Sequence, residues 1–348
     1  MRIGIIGSGF YGSYIAYKLS KMKGIDVEVF EKRNQICSEV IRLNQYRLHT
    51  GFHYPRSAET IKQTIEGYNL FKKEFKNFVK YPKNNLYLIQ KKSLISFNKY
   101  KKIFKHYKLL YKEINLNKFK KILKIENFQG GINTREGVIK TDELINFFKK
   151  KLSRKVKLNF KCNVVKIDNV SGKIVTPKKI FSGYDLIINT TYQNPNLGLR
   201  NRKFSLKYEL SGMVKLSNPY QKPVGITVVD GKFCSLYPHE NQFSTISSVK
   251  FTPIFKSSSY QKVLLKKKKL NKNKIINKII EHARKDIRLP KILKNKKLIV
   301  SYKVKIKKDI NDIRTSNLIK ENKQISVLCG KLDAALVIYS RIRRYLKI

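Results

Sequence analysis

The chain has 348 residues, 41% of them apolar, which excludes a disordered protein and leaves room for two domains with real cores. Its 76 Lys and Arg against 23 Asp and Glu give a net charge of +53, a field that draws polyanions such as nucleic acid, anionic headgroups and acidic glycans. The four cysteines, Cys37, Cys162, Cys234 and Cys329, stand far apart with no metal-ligand spacing, and no apolar stretch reaches the roughly 18 residues of a membrane span, so the expectation is a cytoplasmic, metal-free, non-membrane protein.

Ile3, Ile5 and Ile6 predict a short buried strand. Gly7, Gly9 and Gly12 follow in the spacing GxGxxG, and Tyr14, Ile15, Leu19 and Met22 continue with helical periodicity. Gly24 marks a turn, and Val27 to Phe30 predict a second strand that ends at Glu31. This is a βαβ unit with a dinucleotide-binding first turn. Gly7 permits the tight turn, Gly9 lets a pyrophosphate approach the backbone, and Gly12 lets the helix pack close to the strand. The helix N-terminus presents free N–H groups to the phosphates, and Glu31, about 20 residues on, can accept hydrogen bonds from ribose hydroxyls. Phe10, Tyr11 and Lys32 fall at the same nucleotide. The opening run is short, interrupted by glycine and followed by Lys18, Lys21 and Lys23, which is not a signal-peptide pattern. Further along, Ser57 is a plausible N-cap and Glu59 an early acid for a helix whose apolar stripe is Ile61, Ile65, Tyr68, Phe71, Phe75 and Phe78.

The stretch Arg42 to Phe71, with Asn44, His49-Thr50-Gly51 and Tyr54, resembles the flavin-proximal segment of the D-amino-acid oxidase-like FAD-dependent oxidoreductases. Within them it is most similar to the branch that includes L-2-hydroxyglutarate dehydrogenase. The resemblance implies FAD as cofactor and places Asn44, His49, Thr50 and Gly51 along the isoalloxazine ring. It continues through the segment around Thr141, read as the cap of a helix with Asp142 and Glu143 in its first turn. It then runs through "LNFKCNVVKI", with Val164 at the adenine, and "YDLIINTTY", with Thr190 and Thr191 near the cofactor. At the end, "ISVLCGKLDAALVIYSRI" reads as strand, glycine turn and helix, which implies that Gly330, Lys331 and Leu332 bring a second helix N-terminus to the flavin O2 carbonyl. Two departures stand out. Gln45 and Tyr46 replace small residues, and the turn at Gly330 is less glycine-rich than in the family.

The fold class expected is α/β: a Rossmann-type FAD-binding domain (1–85, 135–200 and 305–348) with a discontinuous α+β substrate domain (86–134 and 201–304) on a mostly antiparallel sheet. Asp230-Gly231 is a hairpin signal within a meander, and Asn273 to Ile287 reads as a helix with Ile275, Ile276, Ile279, Ile280, Ala283 and Ile287 inward. The expected activity is removal of a hydride from a small polar or anionic amine or alcohol, with the electron acceptor open. For an alcohol a base must take the hydroxyl proton, and His suits neutral pH. His53 is the candidate base, beside His49, whose other readings are a backbone-bonded histidine or a contact to the ring. Tyr54 could orient a substrate oxygen, and Arg56 and Arg314 are the candidate cations for an anionic substrate. His239 and Tyr237, in the meander, are the fallback site, and His106 and His282 read as surface residues.

The rival reading is nucleic-acid-directed: a tRNA-modifying flavoprotein, or a basic RNA-binding module that keeps only the fold. Against it, Lys far outnumbers Arg, accompanies abundant Ile and Asn as AT-rich codons would give, and is spread along the chain. Only Lys266 to Lys269 form a dense run.

Overall fold

The computed structural model describes residues 1–239, 242–307 and 316–346. Among them, six strands form one sheet in the order Asn317–Glu321, Gln324–Leu328, Leu186–Asn189, Arg2–Ile6, Asp26–Phe30 and Lys157–Asn159. All its pairings are parallel except the edge hairpin Asn317–Glu321/Gln324–Leu328. A parallel strand is covered on both faces, and the near-continuous apolar run Ile3 to Ile6 is buried throughout.

Among the described residues seven α-helices follow in chain order: α1 (Phe10–Leu19), α2 (Ala58–Phe75), α3 (Phe97–His106), α4 (Thr141–Leu152), α5 (Tyr260–Lys268), α6 (Lys272–Ala283) and α7 (Ala334–Leu346). In α2 the Ser57 hydroxyl accepts from the Thr60 N–H at 3.3 Å, and Ile61, Phe71 and Phe75 are buried. In α4, Thr141 is the first helical residue and not its cap. Lys140 N–H is held by Phe78 O, so the chain turns into the helix one residue early, and the Thr141 hydroxyl donates to Ile139 O instead.

A second, mostly antiparallel sheet has nine strands among the described residues. Its main path is Pro253–Ser257, Leu206–Ser217, Phe243–Ser248, Cys234–Pro238, Val224–Val229, Asn84–Gln90, Phe128–Thr134 and Tyr111–Glu113, and Lys297–Ile306 also pairs with Leu206–Ser217. Asp230 and Gly231 lie in the turn between the paired strands Val224–Val229 and Cys234–Pro238, where Gly231 takes φ +151°. On one face Ile226, Leu236 and Ile246 pack with Ile276, Ile279 and Ile280 of α6. That helix ends at Ala283, short of the expected Ile287, which is buried beyond it in a β-bridge to Leu123. His106 is exposed, but His282 is not a surface residue. Three residues on from Ile279 it shares the inward face of α6, half-buried, with Nδ1 3.0 Å from Ser248 Oγ.

A three-stranded sheet, Arg47–Leu48, Gly137–Ile139 and Val79–Lys80, carries the chain between the two large ones. None of the four cysteines forms a disulfide. No helix among the described residues is long and apolar enough to cross a membrane.

Candidate active site

A cavity of about 1590 Å³ is lined by both large sheets. That exceeds the roughly 300–1,000 Å³ of an ordinary ligand site, so it can hold a dinucleotide and a second molecule together.

One end is built on the first βα turn. Gly7 holds φ +88°, and a Cβ there would meet the Thr190 carbonyl oxygen at 3.2 Å. A Cβ on Gly12 would stand 1.9 Å from Gly7 O, so this glycine sets how closely α1 packs on the strand. A Cβ on Gly9 would meet nothing within 4 Å and would project into the cavity. Gly9 is also the N-cap of α1, with no side-chain cap bond and no acid in the first turn, which leaves the helix's first N–H groups to an anionic ligand. These features fit the pyrophosphate of a dinucleotide.

Phe10, Tyr11, Glu31, Lys32, Val164, Thr190 and Thr191 also line this end. Glu31 Oε2 accepts from the backbone N–H (2.8 Å) and hydroxyl (2.9 Å) of Ser8. Lys32 Nζ is 3.7 Å from Glu39, and the Thr190 hydroxyl donates to Gly7 O at 2.7 Å. Gly330, Lys331 and Leu332 line the cavity too, but α7 begins only at Ala334. The Gly330 N–H is already given to Ser316 Oγ (2.8 Å) and Tyr11 Oη (3.1 Å).

The other end is assembled across the chain. In the antiparallel ladder Leu48 faces Gly137, which sets His49 beside Glu136. Glu136 is fully buried and its Oε1 accepts from the Thr50 N–H (2.7 Å) and hydroxyl (3.0 Å). Its Oε2 accepts from the Tyr87 hydroxyl at 2.5 Å and lies 3.4 Å from His49 Nδ1. Burial holds His49 below the ordinary imidazole range, hence neutral at pH 7. Burial also pushes the Glu136 carboxyl up, but its contacts with His49, Tyr87 and Thr50 outweigh this and keep it ionised. With His49 neutral, the Tyr87 and Thr50 hydrogen bonds carry most of that effect. His49, His53 and Tyr54 all line the cavity, with ring centroids 5.4 Å apart for the two histidines and 5.0 Å for His53 and Tyr54.

Arg47 is the residue that sequence reasoning missed. It is 7% exposed and lines the cavity. Its guanidinium lies over the Tyr237 ring at 3.8 Å, and Nη1 donates to Thr227 Oγ1 at 2.7 Å. Nε and Nη2 are buried with no hydrogen-bond partner. A buried guanidinium with two idle donors is costly unless an anion completes it. The signal was Arg47 at two residues from His49, the same-side parity of a strand. Glu136, a lone acid in "NTREGVIK", offered none.

Other candidates land elsewhere. Arg56 does not line the cavity: its Nε is 2.6 Å from Asp230 Oδ2 and the side chain is half-exposed. Thr50 and Gly51 sit behind the surface, Thr50 on Glu136 and Gly51, at φ +124°, against Ile61. Asn44 lines the cavity but its side chain closes a turn, accepting from Tyr46 N–H at 2.6 Å and donating to Ile41 O at 3.1 Å. Lys331 Nζ stands 3.9 Å over the Tyr54 ring and reaches the Thr64 hydroxyl. Tyr237 lies beneath Arg47, and His239 packs on the Tyr46 ring at 4.3 Å, neither on the cavity wall. Arg314 lies outside the described residues. No His, Cys, Asp and Glu cluster suited to a metal occurs among the described residues.

Residues 2–246 match the family model described as FAD dependent oxidoreductase (DAO). The chain is 27% identical over 254 residues, 72% of its length, to the FAD-dependent monooxygenase FPY4 of Fusarium mangiferae, and that match spans 65% of FPY4, less than two thirds of it. The fold is similar to that of the L-alpha-glycerophosphate oxidase of Mycoplasma pneumoniae with FAD bound (TM-score 0.76, 16% identity, 100% of this chain and 94% of that one). It is also similar to the L-proline dehydrogenase of P. horikoshii (TM-score 0.70, 16% identity, 99% and 93%).

Proposed function

The chain belongs to the FAD-dependent oxidoreductase family of the D-amino-acid oxidase type, and on that premise we propose that it oxidises a small anionic alcohol or amine bound beside Arg47 and His49. The observation that carries this reading is the pair of idle, buried Arg47 donors, Nε and Nη2, on the wall that also holds the two histidines. FAD supplies the hydride acceptor. The protein supplies the rest. Arg47 fixes the substrate's anionic group, with Tyr237 and Thr227 holding the guanidinium in place. Glu136 holds the Nδ1 side of His49, which leaves Nε2 as the nitrogen free to accept a substrate proton. The 3.4 Å separation is longer than a formed hydrogen bond, as is common before substrate binds. His53 is the alternative base. The geometry favours His49 because it has a buried carboxylate behind it. Tyr54 is placed to orient a substrate oxygen.

An anionic secondary alcohol is also what the resemblance of Asn44 to Tyr54 to the L-2-hydroxyglutarate dehydrogenase branch implies. The division of the chain into a cofactor part and a substrate part belongs to this proposal, supported by the parallel and antiparallel sheets that meet at the cavity. The test is anaerobic mixing of the FAD-loaded protein with small hydroxy acids, amino acids and phosphate esters. Visible flavin absorbance is expected to fall with at least one anionic member and not with its neutral counterpart. Bleaching by neutral alcohols or amines alone would refute the reading.

A further inference from the structure

We infer that the substrate is a polyhydroxylated acid, a sugar acid or sugar phosphate, read by the hydroxyl and amide groups of the sheet face that fronts the cavity. This rests on the reading that Arg47 receives the substrate's anionic group. Successive side chains of the strands Val224–Val229, Cys234–Pro238 and Phe243–Ser248 point to opposite faces of the sheet. Ile226, Leu236 and Ile246 point to α6 and are fully buried. Their neighbours Thr227, Ser235 and Ser247 line the cavity. Thr227 and Ser235 are only 1% and 5% exposed. A sheet face that well covered is ordinarily apolar, and burying hydroxyls costs free energy unless they are bonded.

They are bonded, and to one another. Ser235 Oγ and Ser247 Oγ are 2.8 Å apart, and the Ser235 hydroxyl also reaches Gln45 Oε1 at 3.4 Å. The Gln45 amide donates to Thr245 Oγ1 at 3.2 Å, and Thr227 Oγ1 takes Arg47 Nη1. Each hydroxyl oxygen can accept two hydrogen bonds and accepts at most one from these partners, so this wall keeps acceptor capacity facing the cavity next to the idle guanidinium donors. An alkyl chain laid on it would strip water from these groups and replace none of the hydrogen bonds. A chain of hydroxyls exchanges them one for one.

The experiment titrates FAD-loaded protein anaerobically with gluconate, ribose 5-phosphate, L-2-hydroxybutyrate and ribitol. Perturbation of the flavin spectrum reads binding, and bleaching reads reduction. Gluconate or ribose 5-phosphate is expected to bind about tenfold or more tighter than both L-2-hydroxybutyrate, which has the charge without the hydroxyl chain, and ribitol, which has the hydroxyls without the charge. Which of the two prevails separates a carboxylate from a phosphate. Ser235→Ala and Gln45→Leu are expected to weaken the hydroxylated acid about tenfold while leaving L-2-hydroxybutyrate unchanged. L-2-hydroxybutyrate binding as tightly as both hydroxylated acids, no perturbation by either of them, or an equal loss for all probes in the variants would overturn the inference. Selective binding with no bleaching by any probe would support it and count against the oxidation reading instead.

Discussion

The two ends of the cavity are built by opposite means. The end that fits a nucleotide is backbone: a left-handed glycine, a glycine with open space above it and an uncapped helix start, all within residues 7–12. The end proposed for the substrate is side chain: Arg47 and Thr227 from two separate sheet strands, and His49 and Glu136 from two loops beside strands. A site made of backbone is specified by where side chains are missing, and one made of side chains by which are present. The two ends should therefore fail separately when mutated.

The largest effect is expected at Gly9. Gly9→Val should abolish FAD retention, measured as flavin absorbance after gel filtration, with apoprotein melting little changed, because a Cβ there meets no protein atom. Gly12→Ala should lose both, since its Cβ would collide with Gly7 O. FAD retained by Gly9→Val would break the contrast. Next comes the base. His49→Ala should keep FAD and lower the rate of flavin reduction by roughly 10²–10⁴-fold, whereas the same loss in His53→Ala with His49→Ala unaffected would move the base to His53. Glu136→Gln should shift the acidic limb of the rate profile to lower pH. The carboxylate favours protonated His49, and a neutral amide withdraws that help.

Arg47→Ala is expected to raise KM for the anionic substrate by about one to two decades, the 1.5–3 kcal/mol of a charge-assisted hydrogen bond, with FAD still bound. Arg56→Ala, whose partner is Asp230, should change KM little. Equal effects of the two substitutions would show that the cavity end has been misplaced.

Asp333 sharpens the comparison through stability. It is 1% exposed just beyond the cavity-lining turn, Oδ2 has no hydrogen-bond partner, and burial pushes its carboxyl up to about 6. Because the folded value lies above the unfolded one, the favourable contribution is complete at low pH, falls as pH rises from about 4 to 6, and is absent above that. Asp333→Asn should therefore raise stability at pH 7–8, by at most about 3 kcal/mol, and do nothing below about pH 4. A pH-independent difference in melting temperature would contradict this. The smallest effect concerns the +53 charge. Weak tRNA binding with no preference over duplex DNA should vanish by about 0.15 M salt. A selective complex that survives such salt would favour the tRNA-directed reading.

The strands, α1 and the glycine turn were legible because periodicity and glycine spacing act within a few residues. Thr141 was misread as a cap because a threonine before two acids looks the same whether the strand ahead releases the chain at Lys140 or one residue later. Arg56 looked free because its partner Asp230 lies 174 positions away. His282 looked like a surface residue among lysines until α6 turned it onto Ser248.

By itself, the sequence determined the dinucleotide-binding unit and its parallel strands, and its family resemblance implied FAD. The groups that fit a pyrophosphate come from one contiguous strand–turn–helix–strand unit, whose geometry is set by local sterics and helix-end hydrogen bonding. The tertiary structure alone decided which guanidinium faces the cavity, which histidine has a carboxylate behind it and which hydroxyls are buried beside them. Those contacts join Arg47 to Thr227 and His49 to Glu136 through strand register. Register is fixed by the packing of whole sheets, and it leaves no spacing in the chain from which to read it.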